Sequence, residues 1–175
     1  MPRLHAIELL PDDAGETAVR RGWQALRDAG LPTMLDHTGA SNTPHVTVIA
    51  VPTISAEDEQ AAIDLLAPLL PIAARLSGLA VFGDRRVTLA RVIDVPDDVM
   101  AAVLRLRGGT SGHQHPGWLP HATLGRRIDR ARLQEAVDAV GLGDEAFTLT
   151  ALRRWDPEAE EVRPLTGEVP GADRS

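Results

Sequence analysis

The chain has 175 residues, of which 43% are apolar, and a formal net charge of −7. This length fits one domain, and the apolar fraction suffices for a buried core. The sequence has no cysteine, which excludes disulfides, thiolate metal sites and a cysteine nucleophile. It has no run of about 18 apolar residues that would span a membrane, and no signal-peptide pattern at its start, so we expect a cytoplasmic protein.

The charge is unevenly distributed along the chain. Residues 85–132 hold nine Arg and four acidic residues, a net charge of +5, whereas the segments before and after them each carry −6. Long nucleic acid requires an extended basic surface, which an acidic chain with one basic segment does not provide. We therefore expect no long nucleic acid partner, and a small anionic ligand is the better match for this segment.

The N-terminal part of the sequence predicts alternating strands and helices. A strand at 3–10 precedes a helix at 11–30, which has acidic residues in its first turn and a glycine at its end. A strand at 45–51 is rich in β-branched residues, and a helix at 55–70 begins with a capping serine. The remaining predicted elements are strands at 74–83 and 86–94 joined by a turn at Gly83-Asp84, a helix at 96–108 closed by Gly108, a strand at 121–128, a helix at 129–141 capped by Asp129, and two strands on either side of Pro157.

This order of elements occurs twice and predicts an internal duplication. In each half a strand, a helix and a polar loop lead to a strand, which a further helix follows. We expect residues 1–166 to form one domain and residues 167–175 to be a flexible tail.

A five-residue phrase, Pro-His-x-Thr-apolar, also occurs twice, at 44–48 and at 120–124. Alternate side chains of a strand share a face. The imidazole and hydroxyl of each phrase are therefore displayed side by side, while the apolar residues between and after them point into the core. The two pairs are His45 with Thr47 and His121 with Thr123.

Two such pairs facing each other suit the cleavage of a phosphodiester without a metal. Two imidazoles with ordinary pKa values near neutrality can hold opposite protonation states, so that one acts as base and the other as acid. Two hydroxyls can bind the non-bridging phosphate oxygens, and an arginine can neutralise the charge of the transition state.

The two phrases resemble the paired His-x-Thr/Ser-x motifs of the 2H phosphoesterase superfamily. "WLPHATLGRR" is similar to the Trp-x-Pro-His-x-Thr-Leu-x-Arg pattern of its bacterial 2′-5′ RNA ligase-like / 2′,3′-cyclic nucleotide phosphodiesterase branch. The resemblance covers both motifs and the order of elements over roughly residues 3–166. It implies an α+β fold with two pseudo-symmetric lobes, each an antiparallel-rich sheet with helices on its outer face, and an active-site cleft between them. It also implies chemistry without metal or cofactor on 2′,3′-cyclic phosphates or 2′-5′ linkages.

Carried over to this chain, the resemblance makes His45 and His121 the acid–base pair and Thr47 and Thr123 the phosphate clamps. The sequence does not decide which histidine is the acid.

Three further residues are candidate substrate ligands. Arg126 matches the trailing Arg of the motif, whereas strict strand alternation would instead place Arg127 on the face of the catalytic histidine. A bulge at Gly125 would reconcile Arg126 with that face. Trp118 is expected either to wall the cleft and stack on a base, or to pack the loop onto the domain.

The other histidines carry weaker signals. His113 and His115 lie just before the second phrase and, with His121, raise the possibility of a zinc site, but their loop spacing fits no fixed ligand geometry. We expect no metal and place both at the cleft rim. His37 is expected at a rim or in solvent, and His5 in a packed environment.

The leading hypothesis is a metal-independent phosphodiesterase that hydrolyses 2′,3′-cyclic phosphates, or related 2′-5′ phosphodiesters, of nucleotides or RNA ends. One alternative is a non-catalytic module that binds a small phosphorylated ligand or RNA end. The other is an RNA 2′-5′ ligase, which the acidic charge and the scarcity of base-stacking aromatics disfavour. We expect a monomer with no membrane partner.

Overall fold

A single antiparallel sheet of seven strands, covered by four helices, is the framework of the protein, as a computed structural model that describes residues 3–39 and 41–166 shows. The strands are β1 (His5–Pro11), β2 (Val46–Val51), β3 (Ile72–Phe82), β4 (Arg86–Asp94), β5 (His121–Asp129), β6 (Glu145–Asp156) and β7 (Glu161–Thr166). The helices are α1 (Asp13–Asp28), α2 (Ala56–Leu66), α3 (Asp97–Gly109) and α4 (Leu133–Val140). The predicted α+β class is confirmed, and the tail predicted at 167–175 lies outside the described residues.

The connectivity of the sheet repeats. The strand order is β2-β1-β6-β3-β4-β5, with β7 paired to β6. The chain therefore runs twice through the same course, first β1-α1-β2-α2-β3 and then β4-α3-β5-α4-β6, with β2 and β5 at the two ends of the order. The third strand of each course pairs with the first strand of the other, which joins the two halves into one sheet. That these halves are two lobes of a duplicated domain stays a prediction.

Helix α1 shows how the sequence produces the packing. Asp12 caps it by accepting a hydrogen bond from the Gly15 N–H at 2.9 Å, which satisfies one of the unpaired donors of the first turn. Val19, Trp23 and Leu26 recur every three or four residues and are buried, so one face of the helix covers β5 and β6. Helices α2 and α3 pack against each other, away from α1.

Three predicted helix boundaries were wrong. Helix α2, predicted to reach residue 70, ends at Leu66 and is followed by a 3-10 turn over Ala67–Leu69 that contains Pro68. Helix α3 continues through Gly108 to Gly109. The capping residue Thr110 donates both its N–H and its hydroxyl to the Leu106 carbonyl. Asp129 caps a 3-10 turn over Arg130–Arg132, and α4 begins only after that turn. The Thr110 cap was not predicted, whereas the predicted cap Asp129 is present but begins the 3-10 turn instead of α4. No helix within the described ranges is long and apolar enough to cross a membrane.

Strand β5 is irregular on both sides of Gly125, which is paired with Leu89. Two residues of β5 stand opposite one of β4 after Gly125, and one residue before it is unpaired, so two bulges bend the edge of the sheet. A Cβ on Gly125 would collide with the Pro32 carbonyl oxygen and lie 2.9 Å from Leu26 Cδ1. Only glycine allows the loop after α1 to approach β5 so closely.

We therefore expect Gly125→Ala to destabilise the fold by about 1–3 kcal/mol, because backbone and core atoms must shift to admit the methyl group. Chemical denaturation monitored by tryptophan fluorescence measures this. Gly78→Ala is the matched control, since Gly78 also lies in a strand and a Cβ there meets no atom within 4 Å. Equal stability of the two variants would contradict the close packing at Gly125.

Candidate active site

The residues of the two phrases alternate between the core and the accessible face of the edge strands. Val46 and Val48 are 2% and 0% exposed, and Ala122 and Leu124 are 3% and 1% exposed. The histidine and threonine of each phrase are half-buried, as strand alternation predicts.

Both imidazole rings are oriented in the same way by the backbone. Nδ1 of His45 lies 2.7 Å from the Thr43 carbonyl oxygen, and Nδ1 of His121 lies 2.7 Å from the Leu119 carbonyl oxygen. A carbonyl only accepts hydrogen bonds, so each Nδ1 carries a proton and donates. Nε2 is then the nitrogen at which each ring gains or loses its proton.

The structure brings the two histidines together although their strands lie at opposite ends of the sheet order. Strands β2 and β5 contact each other. Burial lowers the pKa of His121 below the ordinary imidazole value, donation to Leu119 opposes this, and the charges of His45 and Arg126 lower it further. The ring of Phe82 covers that of His121, with the centroids 4.9 Å apart.

Two indole N–H groups donate hydrogen bonds to backbone carbonyls of the two phrases. Trp23 Nε1 donates to the Thr123 carbonyl at 2.9 Å, and Trp118 Nε1 donates to the Thr47 carbonyl at 2.8 Å. Each tryptophan thus binds the backbone of a threonine in the other half of the chain and holds that threonine in position.

Beside His45 lies a buried ion pair that the sequence patterns do not predict. Glu8 and Arg153 are 5% and 1% exposed, and Arg153 Nε donates to Glu8 Oε2 at 2.6 Å. The other carboxylate oxygen, Oε1, lies 3.3 Å from Nε2 of His45. Arg153 also donates to Thr43 Oγ1 at 2.6 Å and to the Ser41 carbonyl at 2.9 Å.

The available signal for this pair was weak. Glu8 interrupts an apolar strand, and Arg153 directly follows the buried apolar residues Ala151 and Leu152. A charged residue with no polar face to occupy needs a partner. Nothing in the sequence identifies these two as partners, since they lie 145 residues apart.

The two candidate arginines differ in their positions. Arg126 is exposed and close enough to His121 for its charge to act on that ring. Arg127 is also exposed, takes a left-handed φ of +61°, and its carbonyl accepts a hydrogen bond from Arg86. The bulges flanking Gly125 produce this difference, which favours Arg126 as the phosphate ligand.

A cleft of about 400 Å³ opens beside the phrases. Thr47 and His121 line it, together with Trp118, Phe82 and residues of the loop before β5. Trp118 lines the cleft, and its N–H fixes the loop to β2. That it stacks on a base stays a prediction. Arg107 fixes the same loop by donating to the Val48 and His115 carbonyls at 3.0 and 2.9 Å.

The remaining histidines do not converge. Within residues 3–39 and 41–166 no group of three or more His, Asp or Glu side chains is arranged to hold a metal ion. His113 and His115 line the cleft, and burial together with the charge of Arg107 lowers the pKa of His113. His37 is exposed, whereas His5 is buried with Nδ1 3.0 Å from a guanidinium nitrogen of Arg154.

Known proteins share this fold. The structure of E. coli LigT complexed with 3′-AMP superposes with a TM-score of 0.55 at 19% sequence identity, covering 95% of this chain and 97% of that one. A protein described as a phosphoesterase gives a TM-score of 0.53 at 19% identity, covering 94% and 96%. E. coli LigT complexed with ATP gives 0.50 at 18% identity, covering 94% and 95%.

Of the two sequence comparisons, one identifies a family. No curated protein sequence matches the chain significantly. A family model described as the 2′-5′ RNA ligase superfamily matches residues 11–161, which include both His-x-Thr phrases. The chain therefore belongs to the 2′-5′ RNA ligase superfamily, the 2H phosphoesterases that the paired phrases predicted.

Proposed function

We propose that the protein is a metal-independent phosphodiesterase that hydrolyses 2′,3′-cyclic phosphates, or related 2′-5′ phosphodiesters, of nucleotides or RNA ends. The observation that best supports this is the matched pair of imidazoles. Each is held through Nδ1 by a backbone carbonyl, and each is followed by a threonine on the same strand face. This makes the two Nε2 atoms the sites of proton transfer and the two hydroxyls the ligands for a phosphate.

In this reaction one imidazole removes a proton from water, and the water oxygen attacks phosphorus. The bond from phosphorus to the 2′ or 3′ oxygen breaks, and the other imidazole protonates that oxygen. Thr47 and Thr123 hydrogen-bond the non-bridging oxygens, and Arg126 balances the charge of the transition state. The product is a phosphomonoester.

The cleft supports a small substrate. Its walls include Trp118, Phe82 and Leu4 beside His121, an apolar lining that accommodates a nucleoside next to the reacting phosphate. A structure of the same fold contains 3′-AMP, a nucleoside monophosphate of the kind this hydrolysis would release. A monomer suffices because one chain supplies both phrases, and a cysteine-free chain suits the cytoplasm.

The family description favours one competing activity, the ligation of RNA through a 2′-5′ linkage. The same side chains would then protonate and deprotonate ribose hydroxyls in the reverse direction. Ligation requires two RNA strands, so it predicts strand affinity that falls steeply with salt. The net charge of −7 argues against such affinity.

We expect His45→Ala and His121→Ala each to reduce the hydrolysis of 2′,3′-cyclic nucleotides by about 10²- to 10⁴-fold, because each removes one proton-transfer group. Initial rates with the four 2′,3′-cyclic mononucleotides in EDTA measure this. His37→Ala is the control, since it removes an exposed imidazole from a loop. Wild-type turnover that both variants retain would rule out the two-histidine mechanism.

The neighbouring arginines provide a matched pair of variants. Arg126→Gln should lower kcat/KM by about 10- to 100-fold, the cost of losing a charge-assisted hydrogen bond to the phosphate. Arg127→Gln, one residue further along the same exposed edge, should leave kcat/KM within about twofold of the wild-type value. The reverse order of effects would transfer the phosphate-binding role to Arg127.

A further inference from the structure

The two histidine sites are alike at Nδ1 but differ at Nε2. In the sheet, Glu8 pairs with Thr47 on one side and with Arg153 on the other. In the second course of the repeat the corresponding residue, Ala90, pairs with Thr123 and with Ala80. One phrase therefore lies beside a buried carboxylate and guanidinium, and the other beside two methyl groups.

The surroundings of His45 favour a ring with two protons. The Thr43 carbonyl faces Nδ1 at 2.7 Å, and Glu8 Oε1 faces Nε2 at 3.3 Å. Both neighbours are acceptors, so protons on both nitrogens are favoured, whereas a neutral ring turns a lone pair towards one of them. The carboxylate is fixed in this position because Arg153 holds its other oxygen and water is excluded from the buried pair.

The charged and titratable groups around His45 are Glu8 on β1, Arg153 on β6 and His121 on β5. Arg153 Nη2 comes within 3.5 Å of His45 Nδ1 and opposes a positive ring. The carboxylate offsets that charge and lies closer to Nε2. Without it, the ring would face an unpaired guanidinium.

The surroundings of His121 favour a neutral ring. Within the described part of the chain, no carboxylate forms an ion pair with it. The Phe82 ring packs over it, burial lowers its pKa, and the positive charges of His45 and Arg126 lower it further. With the proton on Nδ1 donated to Leu119, Nε2 of His121 presents a lone pair.

We infer that Glu8, held by Arg153, is a positioning residue that keeps a proton on Nε2 of His45 and so makes His45 the general acid and His121 the general base. This rests on the proposed function. His121 Nε2 takes a proton from water as the water oxygen bonds to phosphorus. The leaving ribose oxygen then takes the Nε2 proton of His45. Solvent then removes the extra proton from His121 and supplies a new proton to Nε2 of His45, which the Glu8 carboxylate stabilises there.

The protonation states can be measured without a substrate. Imidazole ¹⁵N chemical shifts, assigned with His45→Gln and His121→Gln, report the protons on each ring as the pH is raised. In the wild type we expect His45 to lose its second proton at higher pH than His121. In Glu8→Gln this loss should move to lower pH by about one unit or more. His121 should still lose its second proton at lower pH than His45.

The control is Glu59→Gln, which also removes a carboxylate from an Arg–Glu pair but at Arg154, whose neighbour is His5. It should leave the titration of His45 unchanged. The inference is overturned if His121 holds its proton to higher pH than His45 in the wild type, a comparison that requires no variant to fold. An unchanged His45 titration in folded Glu8→Gln also overturns it.

The roles of acid and base are separated by a substrate whose leaving group needs no proton. In 4-nitrocatechol cyclic phosphate the leaving oxygen is a stable phenolate. On this substrate His45→Ala should lose little rate, because the contribution of a general acid, about 10²- to 10⁴-fold, is no longer needed. His121→Ala should lose as much rate on it as on 2′,3′-cyclic nucleotides. The opposite pattern overturns the assignment. A wild type inert on both substrates refutes the proposed function, and the ¹⁵N titrations then still decide the role of Glu8.

Discussion

The geometry of the site depends on the contact between the two edge strands, β2 and β5. These strands are farthest apart in the order of the sheet, yet they must face each other for two imidazoles to act on one phosphate. Trp23 and Trp118 stabilise this contact by donating to the carbonyls of Thr123 and Thr47. Both hydrogen bonds satisfy edge-strand carbonyls that would otherwise need another partner. The same two hydrogen bonds thus pack the halves together, satisfy carbonyls of the edge strands and position the two threonines.

On this frame the two phrases are locally equivalent and electrostatically different. The carbonyl of the residue just before each phrase sets the ring orientation, so this part of the site depends only on local backbone. The difference comes from the strand beside each phrase, which brings Glu8 to one and Ala90 to the other. A sheet whose connectivity repeats can in this way supply an acid and a base from the same five-residue phrase.

The sequence predicts features that are local or periodic. The repeated phrase pointed to His45 and His121 as candidate catalytic residues, and strand alternation predicted the face of the strand on which each lies. The pairing of Glu8 with Arg153 joins strands at opposite ends of the chain, and no local pattern encodes it. The pairing of β3 with β4 and of β6 with β1, each across the two halves, could not be predicted for the same reason. The predicted end of α3 was wrong because glycine commonly ends helices, which pointed to Gly108, whereas the Thr110 side chain provides the cap.

The central claim is that two histidines of opposite protonation state hydrolyse a cyclic phosphodiester without a metal. The most direct test is the pH dependence of kcat/KM for a 2′,3′-cyclic nucleotide in EDTA. Because the pKa of His121 is lowered, the base stays neutral to lower pH than an ordinary imidazole. The account therefore predicts a bell-shaped profile whose acidic limb lies below about 6.5. A profile with a single ionisation, or activity that EDTA abolishes, would contradict it.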